Sequence, residues 1–170
     1  MFQQLFGSPV WVTKIEPQKL FLSSKNFKEH WSSRTLSSFS DNPEDNVFSE
    51  NGESYLLNKI SNCLIDVNVK KIRLIQIWRN IYQNTFQDRH MHAKSHFSFS
   101  IYEKIQKPQT VFYHPAYDMI YALGLEHYIQ PTIQPNVVQG DMVVFPSYLQ
   151  HMVKNSDQTM TISGNIEIVE

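Results

Sequence analysis

Glycine, cysteine and long apolar runs are scarce in this chain, and each scarcity closes off a class of protein. Only 5 glycines occur in 170 residues. Several tight turns must therefore fall to Asn and Asp, whose short side chains tolerate unusual backbone. No glycine-rich phosphate-binding loop is present. The single cysteine, Cys63, cannot close an internal disulfide, which fits a reducing compartment and leaves no paired-cysteine zinc motif. It is expected on a buried helix face rather than as a nucleophile. No apolar stretch is long enough to cross a bilayer, and residues 1–6 lack the charged and long apolar segments of a secretion signal. The expectation is a cytoplasmic protein (the host cytoplasm, for a phage-encoded chain) with no membrane partner. An excess of one charge is also missing. Fifteen Lys and Arg stand against 16 Asp and Glu, a net charge of -1 with His neutral. That excludes the broad positive surface a nucleic acid needs. The short cluster Lys70, Lys71 and Arg73 reads as solvated surface. No serine sits in a nucleophile-elbow sequence.

What is present is a globular composition, 41% hydrophobic and 18% charged. The length suits one sizeable core and falls short of two ordinary domains. We therefore expect a single domain over residues 1–170, with residues 1–68 contributing an edge strand and outer helices. Residues 10–13 read as a short strand after Pro9. Residues 17–30 are predicted helical, with Leu20, Phe27 and Trp31 on one side, and the Ser-rich residues 32–40 are predicted to be loop. A second helix is predicted over residues 53–67, where Leu56, Leu57, Ile60 and Leu64 recur at helical spacing. The pattern then changes. Residues 71–82 are rich in Ile and lack helix caps, so they read as a mostly buried strand. Residues 97–105, 110–113, 142–145 and 160–169 read as further strands, punctuated by prolines. Two early helices followed by many strands imply a mainly β protein, an antiparallel double sheet with its helices outside.

The sharpest local feature is His90-Met91-His92. In a strand, residues two apart share a face, so two imidazoles can hold one metal ion. His151 follows the strand at 142–145 and a Pro-Ser-Tyr turn. A third ligand from a distant strand completes a facial set and leaves coordination positions open. The alternation beyond His92 puts His96, Ser98, Ser100, Tyr102 and Lys104 on the histidine face, with Phe97, Phe99, Ile101 and Ile105 opposite. Thr159, Thr161, Ser163 and Asn165 likewise share one face, and Met160, Ile162, Ile166 and Ile168 the other. A polar row turned inward is costly unless it lines a wet cavity or a ligand site. His30, His114 and His127 read as surface or hydrogen-bonding residues. His96 is open between supporting a ligand and donating into the pocket. Trp31 and Trp78 read as core.

These motifs resemble the 2-oxoglutarate- and Fe(II)-dependent oxygenases of the prolyl-hydroxylase-like superfamily. The likeness is to a small family frequent in marine phages and bacteria. It begins at Leu5-Phe6-Gly7-Ser8-Pro9-Val10 and continues through Trp78-Arg79-Asn80, His90-Met91-His92 and residues 97–102. It is strongest over the Gly-Asp-Met-Val-Val-Phe-Pro-Ser stretch from Gly140 to Ser147, with His151, Val153 and Asn155 following. It ends at Thr161-Ile162-Ser163-Gly164-Asn165. The resemblance implies a double-stranded β-helix, a jelly roll or cupin-like barrel, with Fe(II) on His90, His92 and His151 as metal and catalytic residues, and 2-oxoglutarate as cosubstrate. Two departures matter. The second ligand is His92 where the wider superfamily has a carboxylate, with Asp88 an alternative carboxylate ligand. The family's usual Arg for the far carboxylate of 2-oxoglutarate aligns with Thr159. The resemblance then points to Lys104 as the anchor, assisted by Tyr102, Thr159 and Ser100, with Lys94 and Lys154 weaker candidates. A cupin-like three-histidine metalloprotein that does not use 2-oxoglutarate, or a non-catalytic barrel, stands as the alternative. The partner would be a small-molecule or peptide substrate. Residues 115–135, with Tyr117, Tyr121 and Tyr128, would form a lid or a homodimer contact.

Overall fold

β-branched and aromatic residues crowd the second half of the chain, and there the long strands form. The computed structural model describes residues 7–170. Residues 1–6, which hold the expected absence of a secretion signal and the first two residues of the family resemblance, lie outside the described residues. The strands are β1 (Trp11–Lys14), β2 (Leu22–Ser24), β3 (Lys28–His30), β4 (Thr35–Ser37), β5 (Asn46–Phe48), β6 (Ile72–Tyr82) and β7 (Thr85–His90). Then follow β8 (Phe97–Lys104), β9 (Thr110–Tyr113), β10 (Thr132–Ile133), β11 (Asp141–Pro146), β12 (His151–Ser156) and β13 (Thr159–Ile168). Two helices interrupt them, α1 (Gly52–Leu64) and α2 (Tyr117–Ala122).

One antiparallel sheet has the order β1-β11-β8-β13-β6-β4-β3, and a second has the order β10-β9-β12-β7. β2 and β5 form a separate ribbon. The protein is thus mainly β, in the arrangement expected of the double-stranded β-helix family. Neither sheet closes on itself into a barrel among the described residues. One face of the large sheet carries Phe99, Ile101, Met142, Val144, Ile162 and Ile166, which pack against Leu56, Ile60 and Leu64 of α1. Those three leucine and isoleucine side chains of α1 are fully buried, each stabilising the fold by about 2 kcal/mol. The start of the helix lies tight against the Leu20 backbone because its first residue is Gly52. A Cβ there would run into the backbone carbonyl of Leu20. The opposite face of the large sheet carries Tyr102, Val143 and Phe145, which pack with Phe112 of the small sheet.

The strands predicted in the second half lie where the alternation put them, and α1 matches the predicted second helix to within a turn. The N-terminal quarter differs. Residues 17–30 form no α-helix; Pro17–Leu20 is a single 3-10 turn, followed by β2 and β3. Phe21 and Asn26 hold positive φ there, and left-handed residues break a helix. The flanking helix on the N-terminal side is therefore α1 alone. Residues 32–40 contain β4, which pairs with β6. Trp31 is 41% exposed rather than core, whereas Trp78 is buried.

Candidate metal centre

The strand pairing brings the three histidines together. β7 ends at His90 and β12 begins at His151, and the two residues stand directly opposite in antiparallel register, so their side chains leave the same face. His92 lies two residues beyond the end of β7. It is held by its backbone N–H, which donates to the Ser147 carbonyl at 3.0 Å. Ser147 N–H in turn donates to the His96 carbonyl at 3.0 Å, and its hydroxyl is 2.8 Å from those of Ser95 and Ser98. The turn after β11 and the segment before β8 are thus laced together, and the expectation of one continuous strand through His92 is replaced by this turn. One ligand atom from each of His90, His92 and His151 lies within 4.8 Å of the others.

The ring orientations are fixed by acceptors. His90 Nδ1 donates to the Asp88 carbonyl at 2.7 Å, His92 Nδ1 to Asn165 Oδ1 at 2.6 Å, and His151 Nδ1 to the Leu149 carbonyl at 3.1 Å. A carbonyl or amide oxygen only accepts, so each Nδ1 must carry the proton and each Nε2 is left as a bare lone pair. The rings crowd, with centroids of His90 and His151 4.3 Å apart and those of His92 and His151 5.2 Å apart. Burial lowers the pKa of all three. His92 is pushed down to about 4 by desolvation, against the opposing pull of its Asn165 hydrogen bond. His151 falls well below its usual value through desolvation and then the nearby His90 and His92. His90 is lowered by desolvation. Three neutral imidazoles with converging lone pairs are a donor set that a borderline cation such as Fe(II) or Zn(II) fits. Metal fits these residues on the chemistry of the donors alone.

Around the histidines is a narrow cavity with about 20 Å³ open to the centre of a water molecule. Trp78, Asn80 and Tyr82 of β6 line one wall, with Gln87, Thr110 and Ser100 around them. Trp78 stacks on His92 at 5.7 Å, and Phe145 and Phe112 close the histidine end. A larger outer groove of about 400 Å³, lined by Asp41, Phe48 and Leu74 among others, gathers no metal-ligating cluster among the described residues.

The expected site residues divide. Ser100 lines the cavity. Tyr102 is buried behind it, its hydroxyl donating to Thr110 Oγ1 at 2.8 Å. Thr159 is buried and stands opposite Tyr82 in register. Lys104 is exposed and does not line the cavity. A bulge between Met160 and Thr161 shifts the pairing of β13 with β8 just before Lys104, which ends the alternation that carried Ser100 and Tyr102 inward. Asp88 supplies its carbonyl to His90, while its carboxylate accepts from Ser32. His96 is exposed, its Nδ1 accepting the Ile168 N–H at 3.1 Å. Lys94 and Lys154 are exposed. Sequence reasoning placed Asn165 on the inner face without its role as the acceptor for His92; the polar alternation of β13 was the available signal. It missed Gln87 altogether, because residues 85–90 carry no strand-like apolar pattern.

Residues 76–165, just over half of the chain, match the model of the family described as Putative 2OG-Fe(II) oxygenase. A comparison with curated proteins finds no match. Among solved structures, the chain is similar to a prolyl-4-hydroxylase from Pseudomonas putida, with 10% identity, TM-score 0.56, and coverage of 95% of this chain and 93% of that one. It is also similar to HygX from Streptomyces hygroscopicus, solved with nickel, 2-oxoglutarate and hygromycin B, with 9% identity, TM-score 0.55 and coverage of 95% and 83%. A 2OG-Fe(II) oxygenase family oxidoreductase from Burkholderia pseudomallei matches at 10% identity and TM-score 0.51, covering 93% and 68%. At such identities the likeness is one of fold.

Proposed function

This chain belongs to the 2OG-Fe(II) oxygenase family, and from that premise we propose that it is an iron(II)-dependent oxygenase with its metal on His90, His92 and His151. The observation that carries the reading is the convergence of three neutral imidazoles whose Nδ1 protons are all committed elsewhere. Iron(II) bound there, with dioxygen and a 2-oxo acid, supplies the oxidising power that hydroxylates a C–H bond. The chain does the rest. Asp88, Leu149 and Asn165 hold the tautomers and ring angles, which raises ligand basicity. Phe112 and Phe145 keep bulk water from the histidine end. Three neutral ligands leave the metal charge unbalanced, so an anionic chelating group such as a 2-oxo acid carboxylate is favoured beside it.

The substrate would be a small molecule or a peptide. The fold accommodates both in other chains: one structural neighbour is a prolyl-4-hydroxylase and another holds hygromycin B. Met91 and Tyr148, both more than half exposed beside the ligands, offer an apolar and aromatic rim. This reading treats residues 1–170 as one domain, supported by the packing of α1 on the same sheet that carries β8 and β13. The absence of a cation from the cavity lining among the described residues favours a second reading, a three-histidine metalloprotein that uses no 2-oxo acid.

Anaerobic titration of metal-free protein with Fe(II), followed by oxygen uptake measured with and without 2-oxo acids, tests the proposal. Stoichiometric iron binding and oxygen uptake that depends on a 2-oxo acid are expected. Full iron occupancy in His151→Ala protein would sink the metal assignment. Iron binding with no 2-oxo acid dependence would move the protein to the second reading.

A further inference from the structure

Resting on the oxygenase reading above, we infer that the cavity takes a 2-oxo acid whose far end is uncharged, in preference to 2-oxoglutarate with its second carboxylate. Among the described residues every lining side chain is neutral: beside the histidines they are hydroxyls, amides, aromatic rings and a valine. The cations nearby are committed or turned away. Arg79 sits between Trp78 and Asn80, so strand alternation sends it to the opposite face. There its guanidinium grips the Glu103 carboxylate with two hydrogen bonds of 2.6 and 2.9 Å. Lys104 is exposed beyond the bulge. Arg89 lies over the rings of Tyr113 and Tyr117 and reaches Asp118.

The hydrogen-bond donors of the lining are uncharged. Tyr82 Oη donates to Gln87 Oε1 at 3.2 Å, and Tyr102 Oη donates to Thr110 Oγ1 at 2.8 Å, so both hydroxyl protons are in use. What remains is the Trp78 Nε1–H, buried without a partner, the Asn80 Nδ2–H2, which reaches Thr161 and Ser163 only at 3.4 Å while its Oδ1 accepts from Ser37, and the uncharged Gln87 amide N–H2 and Ser100, Ser163 and Thr110 hydroxyls of the lining. Neutral donors of this kind suit a carbonyl, ester or hydroxyl oxygen. They do not offset the lost hydration of a carboxylate in a water-poor cavity.

Thr159 marks where a cation could act. It stands opposite Tyr82, and residues directly opposite in an antiparallel pair share a face. Because Tyr82 lines the cavity, position 159 faces it too, and the side chain there is a short hydroxyl donating to the Asp157 carbonyl at 3.2 Å.

The test uses Fe(II)-loaded protein without oxygen, titrated in turn with 2-oxoglutarate, its 5-methyl ester and 2-oxopentanoate. Binding is read from the visible charge-transfer band and from tryptophan fluorescence, Trp78 being stacked on His92. The ester and 2-oxopentanoate are expected to bind at least about tenfold more tightly than 2-oxoglutarate. Thr159→Arg should reverse the order and make 2-oxoglutarate the tightest of the three; Thr159→Lys serves if the longer side chain prevents folding. Tightest binding of 2-oxoglutarate by the unaltered protein would overturn this inference and leave the oxygenase reading standing. An unchanged order in a folded Thr159 variant would overturn it as well. Iron binding with no response to any of the three acids would overturn both.

Discussion

Removing the Asn165 side chain should loosen the metal without touching a ligand. Asn165 Oδ1 accepts from His92 Nδ1 at 2.6 Å and from Ser98 Oγ at 3.0 Å. His92 lies outside any strand, so its ring angle depends on this bond and on the stacked Trp78 more than on the backbone. In Asn165→Ala the Nδ1–H loses its acceptor in a half-buried place, a loss of about 1–3 kcal/mol for the group left unpaired. Much of that loss falls on the loaded state, because the metal draws charge from the ring and makes Nδ1–H a stronger donor. The expected weakening is on the order of 10–100-fold in metal affinity, roughly 1.4–2.7 kcal/mol. Competition against a chromophoric chelator measures it, and the visible spectrum of the Co(II) form reports the geometry. Asn165→Asp keeps the acceptor and adds a charge, so its affinity should equal or exceed that of the unaltered protein. Wild-type affinity in the Ala variant, or an equal fall in the Asp variant, would refute the reasoning.

His151→Ala should abolish stoichiometric iron binding, since His151 is the most buried of the three and its ring packs against both others; metal content after gel filtration decides it. Gly164→Ala should destabilise the fold by about 1–3 kcal/mol, because a Cβ there would lie 2.6 Å from the Gln76 carbonyl and 2.5 Å from the Phe99 ring; an unchanged urea midpoint would remove that packing argument. Metal-free protein should lose stability in mild acid. The folded-state pKa of His92 is depressed from 6.5 to about 4, so its contribution is complete above about pH 6.5 and is lost as pH falls through 6.5 toward 4. For His92 alone the loss is on the order of 3 kcal/mol, and His151 acts in the same direction. A flat melting temperature between pH 7.5 and pH 5 would contradict this.

The sequence was most legible where one period governed many residues. In β8 and β13 the alternation of Ser and Thr with Phe and Ile has a single solution. The apolar rows face α1 and the polar rows face the cavity, and a one-residue slip would exchange the two. That pattern alone makes Ser100, Tyr102, Thr161 and Ser163 inner-face residues. His90 and His151 were legible for the same reason, since each ends or begins a strand. The N-terminal region was illegible because its strands are three residues long, too short to display a period. Their direction is set by left-handed residues such as Phe21, Asn26, Trp31 and Arg34, which carry no glycine to announce them. Lys104 shows the limit within a well-read strand. The alternation counted it inward, but the bulge before it adds one residue, Glu103, to β8 between the partners of Met160 and Thr161, and such a bulge leaves no mark in composition. The consequence reaches the chemistry. The same local irregularity that turns Lys104 to solvent leaves the cavity without a cation, so the cosubstrate question turns on a register shift rather than on any motif.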